Sequence, residues 1–235
     1  MKKKILITGG DGIFANILKK NNKVLNLTFA NKRQLDILNL KSILKCIKKV
    51  KPKIIIHCAG LSRPMSIHED NIAKSINLNI IGTSNITIAC QLKKIKLIYF
   101  STGYVYPCVK GNYSEEDPVK PINNYGLTKL GGECAVAMYP NSLILRLTMT
   151  EKPFAYKKAF TNLKANYLFH EDIVKILPKI IDKKGILNVG GKSQSVYNFA
   201  KKDNSSLIKI KAKKNNKLPL NQTMSVKKLN KILSS

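Results

Sequence analysis

Tryptophan is absent and acids are scarce, 13 Asp and Glu against 42 Lys and Arg. Arginine is nearly missing too, with Arg33, Arg63 and Arg146 the only three. The formal charge of +29 raises the local concentration of phosphate-bearing partners. Scattered lysine lacks the planar fork with which arginine reads bases, so the charge reads as a solvated surface. No specific nucleic-acid partner is expected, and RNA binding through the lysines is a reading that rests on charge alone. Long hydrophobic runs are also lacking. Stretches such as Ile5–Ile7 are far too short to cross a bilayer, so no membrane partner is expected. The basic Met1–Lys4 is like the n-region of a leader, yet the apolar run after it stops at Thr8-Gly9-Gly10, too early for an h-region. The five cysteines, Cys46, Cys58, Cys90, Cys108 and Cys134, are an odd set with no close pair, which suits neither a disulfide framework nor a zinc site. Reduced thiols, a cytoplasmic location and no metal are the expectation.

What is present is alternation. Strand-like runs at Ile5–Ile7, Val24–Phe29, Lys53–His57, Leu97–Phe100 and Ser142–Leu147 alternate with helix-like ones at Ile13–Lys20, Leu40–Lys49, Asn71–Leu92 and Tyr125–Met138. This is the pattern of an α/β fold, a doubly wound parallel sheet covered by helices. A chain of 235 residues holds one main core. The first part, residues 1–150, reads as the dinucleotide-binding domain, and residues 151–235 as a small C-terminal substrate-binding portion packed on it. The latter carries a predicted helix at Glu171–Asp182, a strand at Gly185–Val189 and a helix at Ser193–Lys201. The lysine-rich, acid-free run Lys209–Lys217 reads as a solvated loop.

Thr8-Gly9-Gly10-Asp11-Gly12-Ile13-Phe14-Ala15 follows the first strand and opens a helix, where a pyrophosphate loop of a Rossmann-type fold sits. Gly9 permits the tight turn, and Gly12 lets the backbone reach the phosphates at the positive helix end. Ala15 stands where the fingerprint allows Gly or Ala. A Gly-rich turn by itself is equally an ordinary connection. The second strand ends without the acid that meets an NAD ribose; Lys32 and Arg33 follow instead and suit the 2′-phosphate of NADP, or are plain surface. The cofactor is therefore NADP or NAD, with NADP favoured.

Tyr125 and Lys129 stand at i and i+4, on one helix face. An ammonium near a phenol lowers its pKa, and Lys129 also suits the nicotinamide ribose. Tyr-x-x-x-Lys arises by chance, but here it follows a dinucleotide loop and Phe100-Ser101-Thr102. Thr102 ends a strand, where open α/β sheets bind ligands.

Leu35-Asp36-Ile37-Leu38-Asn39, Ile56-His57-Cys58-Ala59-Gly60, Asn79-Ile80-Ile81-Gly82-Thr83, Tyr99–Tyr106 and Pro121–Glu133 occur in the order and spacing of a known family. The chain resembles the extended short-chain dehydrogenases, and among them the dTDP-4-dehydrorhamnose reductase group. The resemblance implies that Gly9, Gly12, Ile13 and Phe14 hold the cofactor, with Lys32 and Arg33 beside it. Asp36 and Ile37 would flank the adenine, Ala59 and Gly60 line the cofactor, and Thr102, Tyr125 and Lys129 form a catalytic triad. The implied activity is NADP(H)- or NAD(H)-dependent reduction of a keto-sugar nucleotide. Sister enzymes with this triad are epimerases or dehydratases, and some related proteins bind NADP without catalysis and regulate a partner. A homodimer stays open. Three features depart from the family pattern. The stretch between Arg146 and His170 is short, Gly103 replaces a common acid, and Thr148-Met149 replaces an aromatic.

Overall fold

The computed structural model describes residues 3–213 and 218–235. Short apolar runs form β1 (Lys4–Thr8), β2 (Asn26–Ala30), β3 (Ile54–His57), β4 (Lys96–Phe100) and β5 (Ser142–Leu147). Four small strands follow, β6 (Met149–Thr150), β7 (Lys158–Phe160), β8 (Lys164–Ala165) and β9 (Leu168–Phe169), then β10 (Gly185–Val189), β11 (Gln194–Ser195) and β12 (Ile208–Ile210). The main sheet has six strands in the order β10-β5-β4-β3-β1-β2, all parallel. Strands covered on both faces read as continuous apolar runs rather than alternation; β3 and β4 are buried at every position. The order reverses between β1 and β3, which opens a crevice beyond their carboxyl ends.

The helices are α1 (Ile13–Asn21), α2 (Leu40–Val50), α3 (Ile67–Asp70), α4 (Ile72–Ile76), α5 (Gly82–Leu92), α6 (Asn124–Ala137), α7 (His170–Ile180), α8 (Val196–Ala200) and α9 (Lys227–Ser234). One core packs α1, α7 and α9 on the sheet, and the other packs α2, α5 and α6 on the opposite face. A third cluster around Phe154, Leu163 and Phe199 lies in the C-terminal part. Among the described residues no helix is long and apolar enough to cross a membrane.

Several elements differ from the sequence-based reading. The single helix expected over Asn71–Leu92 is α4 and α5 joined by a π-helical turn, Asn77–Ile81, a form that recurs at functional sites. The helix expected over Ser193–Lys201 begins only at Val196, because Gln194 and Ser195 pair antiparallel with β8. Ile208–Ile210 pairs parallel with β7, so the lysine-rich run starts as a strand; residues 214–217 of that run lie outside the described residues. The last strand of the main sheet comes from beyond residue 150, with β10 pairing to β5 from Gly185↔Leu143 to Val189↔Leu147.

All three histidines are buried. His57, 1% exposed, lies 2.8 Å through Nδ1 from Thr8 Oγ1 and 3.2 Å through Nε2 from Thr83 Oγ1. Burial, with the Lys129 charge adding to it, lowers its pKa to about 3. Burial also lowers His68 and His170. The unfolded chain therefore takes up protons that the folded chain refuses once pH falls below about 6.5. The stability they contribute is present above that pH and is lost below it, for His57 down to about 3. Urea denaturation between pH 7.5 and 5, where carboxylates stay ionised, is expected to show stability falling by up to about 1.4 kcal/mol per pH unit for each histidine. A flat profile would rule out buried neutral rings.

Candidate active site

Beyond the carboxyl ends of β1, β3, β4 and β5 lies a cavity of about 1290 Å³. One wall is the turn from β1 into α1. Gly9 has φ +68, and a Cβ there would come within 2.9 Å of the Ala59 backbone, so only glycine lets these two loops touch. Gly12 caps α1, and Gly12, Ile13, Phe14, Ala59 and Gly60 line the cavity with Gly9. The fit to a dinucleotide rests on this cradle, which presents the positive end of α1 to the open space. Beside it a recess of about 590 Å³ is bordered by Asp11, Asn31, Lys32, Arg33 and Asp36. Lys32 and Arg33 are exposed, and among the described residues neither makes a salt bridge. Ile37 borders neither space. Its side chain lies in the core beneath α5, where a Cβ on Gly82 would meet it at 2.6 Å.

Thr102, Tyr125 and Lys129 line the same cavity. Thr102 follows β4 and caps a 3-10 turn, its Oγ1 accepting from Tyr104 N at 3.3 Å. Asn123 caps α6 by accepting from Gly126 N at 2.9 Å, which puts Tyr125 in the first turn and Lys129 one turn on. Burial raises the Tyr125 pKa, while a hydrogen bond with Thr102 and the charge of Arg63 act to lower it. At neutral pH the phenol keeps its proton. Arg63 thus acts on the phenol as a cation that the sequence reading did not name. The Lys129 Nζ sits 4.2 Å above the Tyr99 ring, and burial depresses its pKa to about 8 against the opposing pull of Glu133 and Cys58.

The model of the RmlD substrate binding domain family matches residues 2–167. The chain belongs to this family. Among curated proteins, methionine adenosyltransferase 2 subunit beta of Rattus norvegicus is 32% identical over 143 residues, 57% of this chain and 42% of that protein. The dTDP-4-dehydrorhamnose reductase of Mycolicibacterium smegmatis is 31% identical over 154 residues, 62% of this chain and 45% of that one. The matches thus span less than half the length of these relatives. Among solved structures, dTDP-4-dehydrorhamnose reductase from Bacillus anthracis in complex with NADP superposes with a TM-score of 0.86 at 24% identity, covering 98% of this chain and 91% of that one. WbmG of Bordetella bronchiseptica in complex with NAD gives 0.79 at 18%, covering 100% and 88%. These likenesses confirm the Rossmann-type fold.

The rest of this RmlD-family cavity comes from residues that sequence reasoning did not single out for the site. Arg63, on the loop after β3, pairs with Glu151 after β6, and both line the cavity. Tyr125 is clasped by His68 at 5.0 Å between ring centroids and by Tyr104 edge-on at 5.7 Å. His68 in turn lies 2.7 Å through Nδ1 from Ser75 Oγ. Asn79, in the π-helical turn, accepts from Leu61 N at 2.7 Å and donates to Thr128 Oγ1 at 3.0 Å, locking the loop after β3 to α6. Asn79 lies in a segment that resembles the family, its one signal in the sequence; Arg63 and His68 carry none beyond being rare residue types here.

Proposed function

We propose that this chain is an NADP(H)- or NAD(H)-dependent reductase of a keto-sugar nucleotide. The observation that carries the reading is the convergence of the Gly9–Phe14 cradle with Thr102, Tyr125 and Lys129 on one cavity. Gly9, Gly12, Ile13, Phe14, Ala59 and Gly60 would hold the dinucleotide, Asp36 would border the adenosine, and Lys129 would meet the nicotinamide ribose. A bound reduced dinucleotide supplies the hydride to the carbonyl carbon. Tyr125 gives its proton to the carbonyl oxygen and Thr102 donates a hydrogen bond to that oxygen. Residues 1–150 serve as the dinucleotide-binding part, and residues 151–235 as the substrate-binding portion, although β10 and α7 complete the main sheet and its cover. The sequence identity to dTDP-4-dehydrorhamnose reductase supports the substrate class.

Exposed apolar residues on α4 and α6, among them Ile72, Ile76 and Leu127, and Met138 just after α6, support a homodimer. The free cysteines suit the reducing cytoplasm. The test is incubation with NADPH or NADH and a panel of 4-keto-6-deoxy sugar nucleotides, following the absorbance of the reduced cofactor. Consumption with one of them supports the reductase. Tight cofactor binding without turnover supports the second reading, a non-catalytic dinucleotide-binding protein that acts on a partner, which the identity to subunit beta favours.

Cofactor choice is assigned to Lys32 and Arg33. Replacing both by Ala is expected to weaken NADPH binding by about tenfold or more, the worth of one charge-assisted hydrogen bond, with NADH binding little changed. Equal losses for both cofactors in a fluorescence titration would reduce the pair to general attraction.

A further inference from the structure

Buried polar atoms without partners are rare in folded proteins, and each one calls for a reason. Among the described residues, the unpartnered atoms include Ser101 Oγ, Thr148 Oγ1, His170 Nδ1 and Gln222 Oε1, and all four residues line the large cavity. Two of them lie on the catalytic wall. Thr148, 7% exposed, follows β5, and Gln222, 3% exposed, lies on the stretch that leads into α9.

That stretch is tied in place. Gln222 N donates to Lys164 O at 3.0 Å, Asn221 N to Cys108 O at 2.9 Å, and Tyr113 N to Thr223 O at 3.1 Å. Burial raises the Tyr104 pKa and the nearby Gln222 side chain acts to lower it, and the Tyr104 ring stands edge-on to Tyr125. The Thr148 hydroxyl and the Gln222 backbone carbonyl meet around Gly103. A Cβ at Gly103 would come 3.2 Å from Thr148 Oγ1 and 3.6 Å from Gln222 O. Two departures from the family pattern, Gly103 and Thr148, are therefore neighbours. With no side chain at 103, one residue along from Thr102, nothing on this wall satisfies Thr148 Oγ1. Thr148 Oγ1 can donate and Gln222 Oε1 can accept, the pairing that an alcohol on a ligand satisfies.

We propose that Thr148 and Gln222 form a hydroxyl-recognition subsite that reads a sugar hydroxyl next to the reacting carbonyl. The subsite rests on the sugar-nucleotide reading given above, and its test separates the two. Calorimetry on protein saturated with NADPH compares dTDP-6-deoxyglucose with its 3-deoxy analogue, neither of which has a ketone to reduce. The wild type is expected to bind the hydroxylated sugar about tenfold or more tightly. Thr148→Val and Gln222→Leu reduce that preference to within about threefold, and Thr148→Ser retains it. Thr148→Val is also expected to keep or raise the thermal midpoint, because no folded-state partner is lost; a structural hydroxyl would lower it. Unchanged preference in Thr148→Val and Gln222→Leu, no preference in the wild type, or no binding of either sugar overturns the subsite. Loss of preference in the variants with no ketone reduced by the wild type keeps the subsite and removes the reductase reading.

Discussion

Replacing Tyr125 by Phe is expected to lower turnover by about 10²–10⁴-fold, the usual contribution of a positioned general acid. The substitution removes one oxygen and leaves the ring between His68 and Tyr104, so the first turn of α6 keeps its packing. Burial holds the phenol protonated, the form in which it can donate. Cofactor affinity, assigned in the proposal to the turn after β1 and to Lys129, should hold. Lys129→Ala is expected to be worse in both respects, because it also removes the proposed ribose contact. Single-turnover reduction and a cofactor titration on the same preparations separate the two effects. Near-normal turnover in Tyr125→Phe would sink the assignment of the proton donor.

The largest stability effect is expected at the buried ion pair beneath that helix. Arg146 Nη2 donates to Glu133 Oε2 at 2.8 Å, and Nε lies 3.1 Å from Oε1, with side chains 5% and 4% exposed. Arg146 Nη1 donates to the Tyr106 hydroxyl at 2.9 Å, which donates to Asn188 Oδ1 at 2.8 Å. The network joins α6 to β5, β10 and the loop that precedes α6. Glu133→Ala strands a guanidinium charge away from water, which costs about 3–5 kcal/mol. Replacing both partners by apolar residues of similar volume, as in Glu133→Leu with Arg146→Met, is expected to cost much less, because no charge is left unpaired. Chemical denaturation of the two single variants and the double variant measures the coupling. Additive losses, or a single-variant loss below about 1 kcal/mol, would show that the pair contributes little.

The sheet was legible because its strands are buried on both faces, so Ile54–Ile56 and Leu97–Phe100 stand out as apolar runs without alternation. The cradle was legible because turns and helix starts are local: Gly9 announces a backbone that a side chain would block, and Gly12 opens the helix after it. The i, i+4 placement of Tyr125 and Lys129 follows from helix geometry alone. The π-helical turn at Asn77–Ile81 was not legible, since its residues carry the same apolar texture as the helix on either side. The start of the lysine-rich run as a strand was hidden for a related reason, because Ile208–Ile210 gains its strand character from pairing with β7.

Local sequence thus determined which residues form the strands, the glycine turn after β1 and the Tyr–Lys helix face, because each depends on backbone geometry within a few positions. Tertiary structure alone decided what surrounds them. Arg63 reaches Glu151 across 88 positions, and His68 settles on Tyr125. Gln222 returns from near the C-terminus to stand beside Thr148 and Gly103. These neighbours are set by strand order and crossover, which place distant segments at one end of the sheet, and no periodicity within any single segment records which of them will meet.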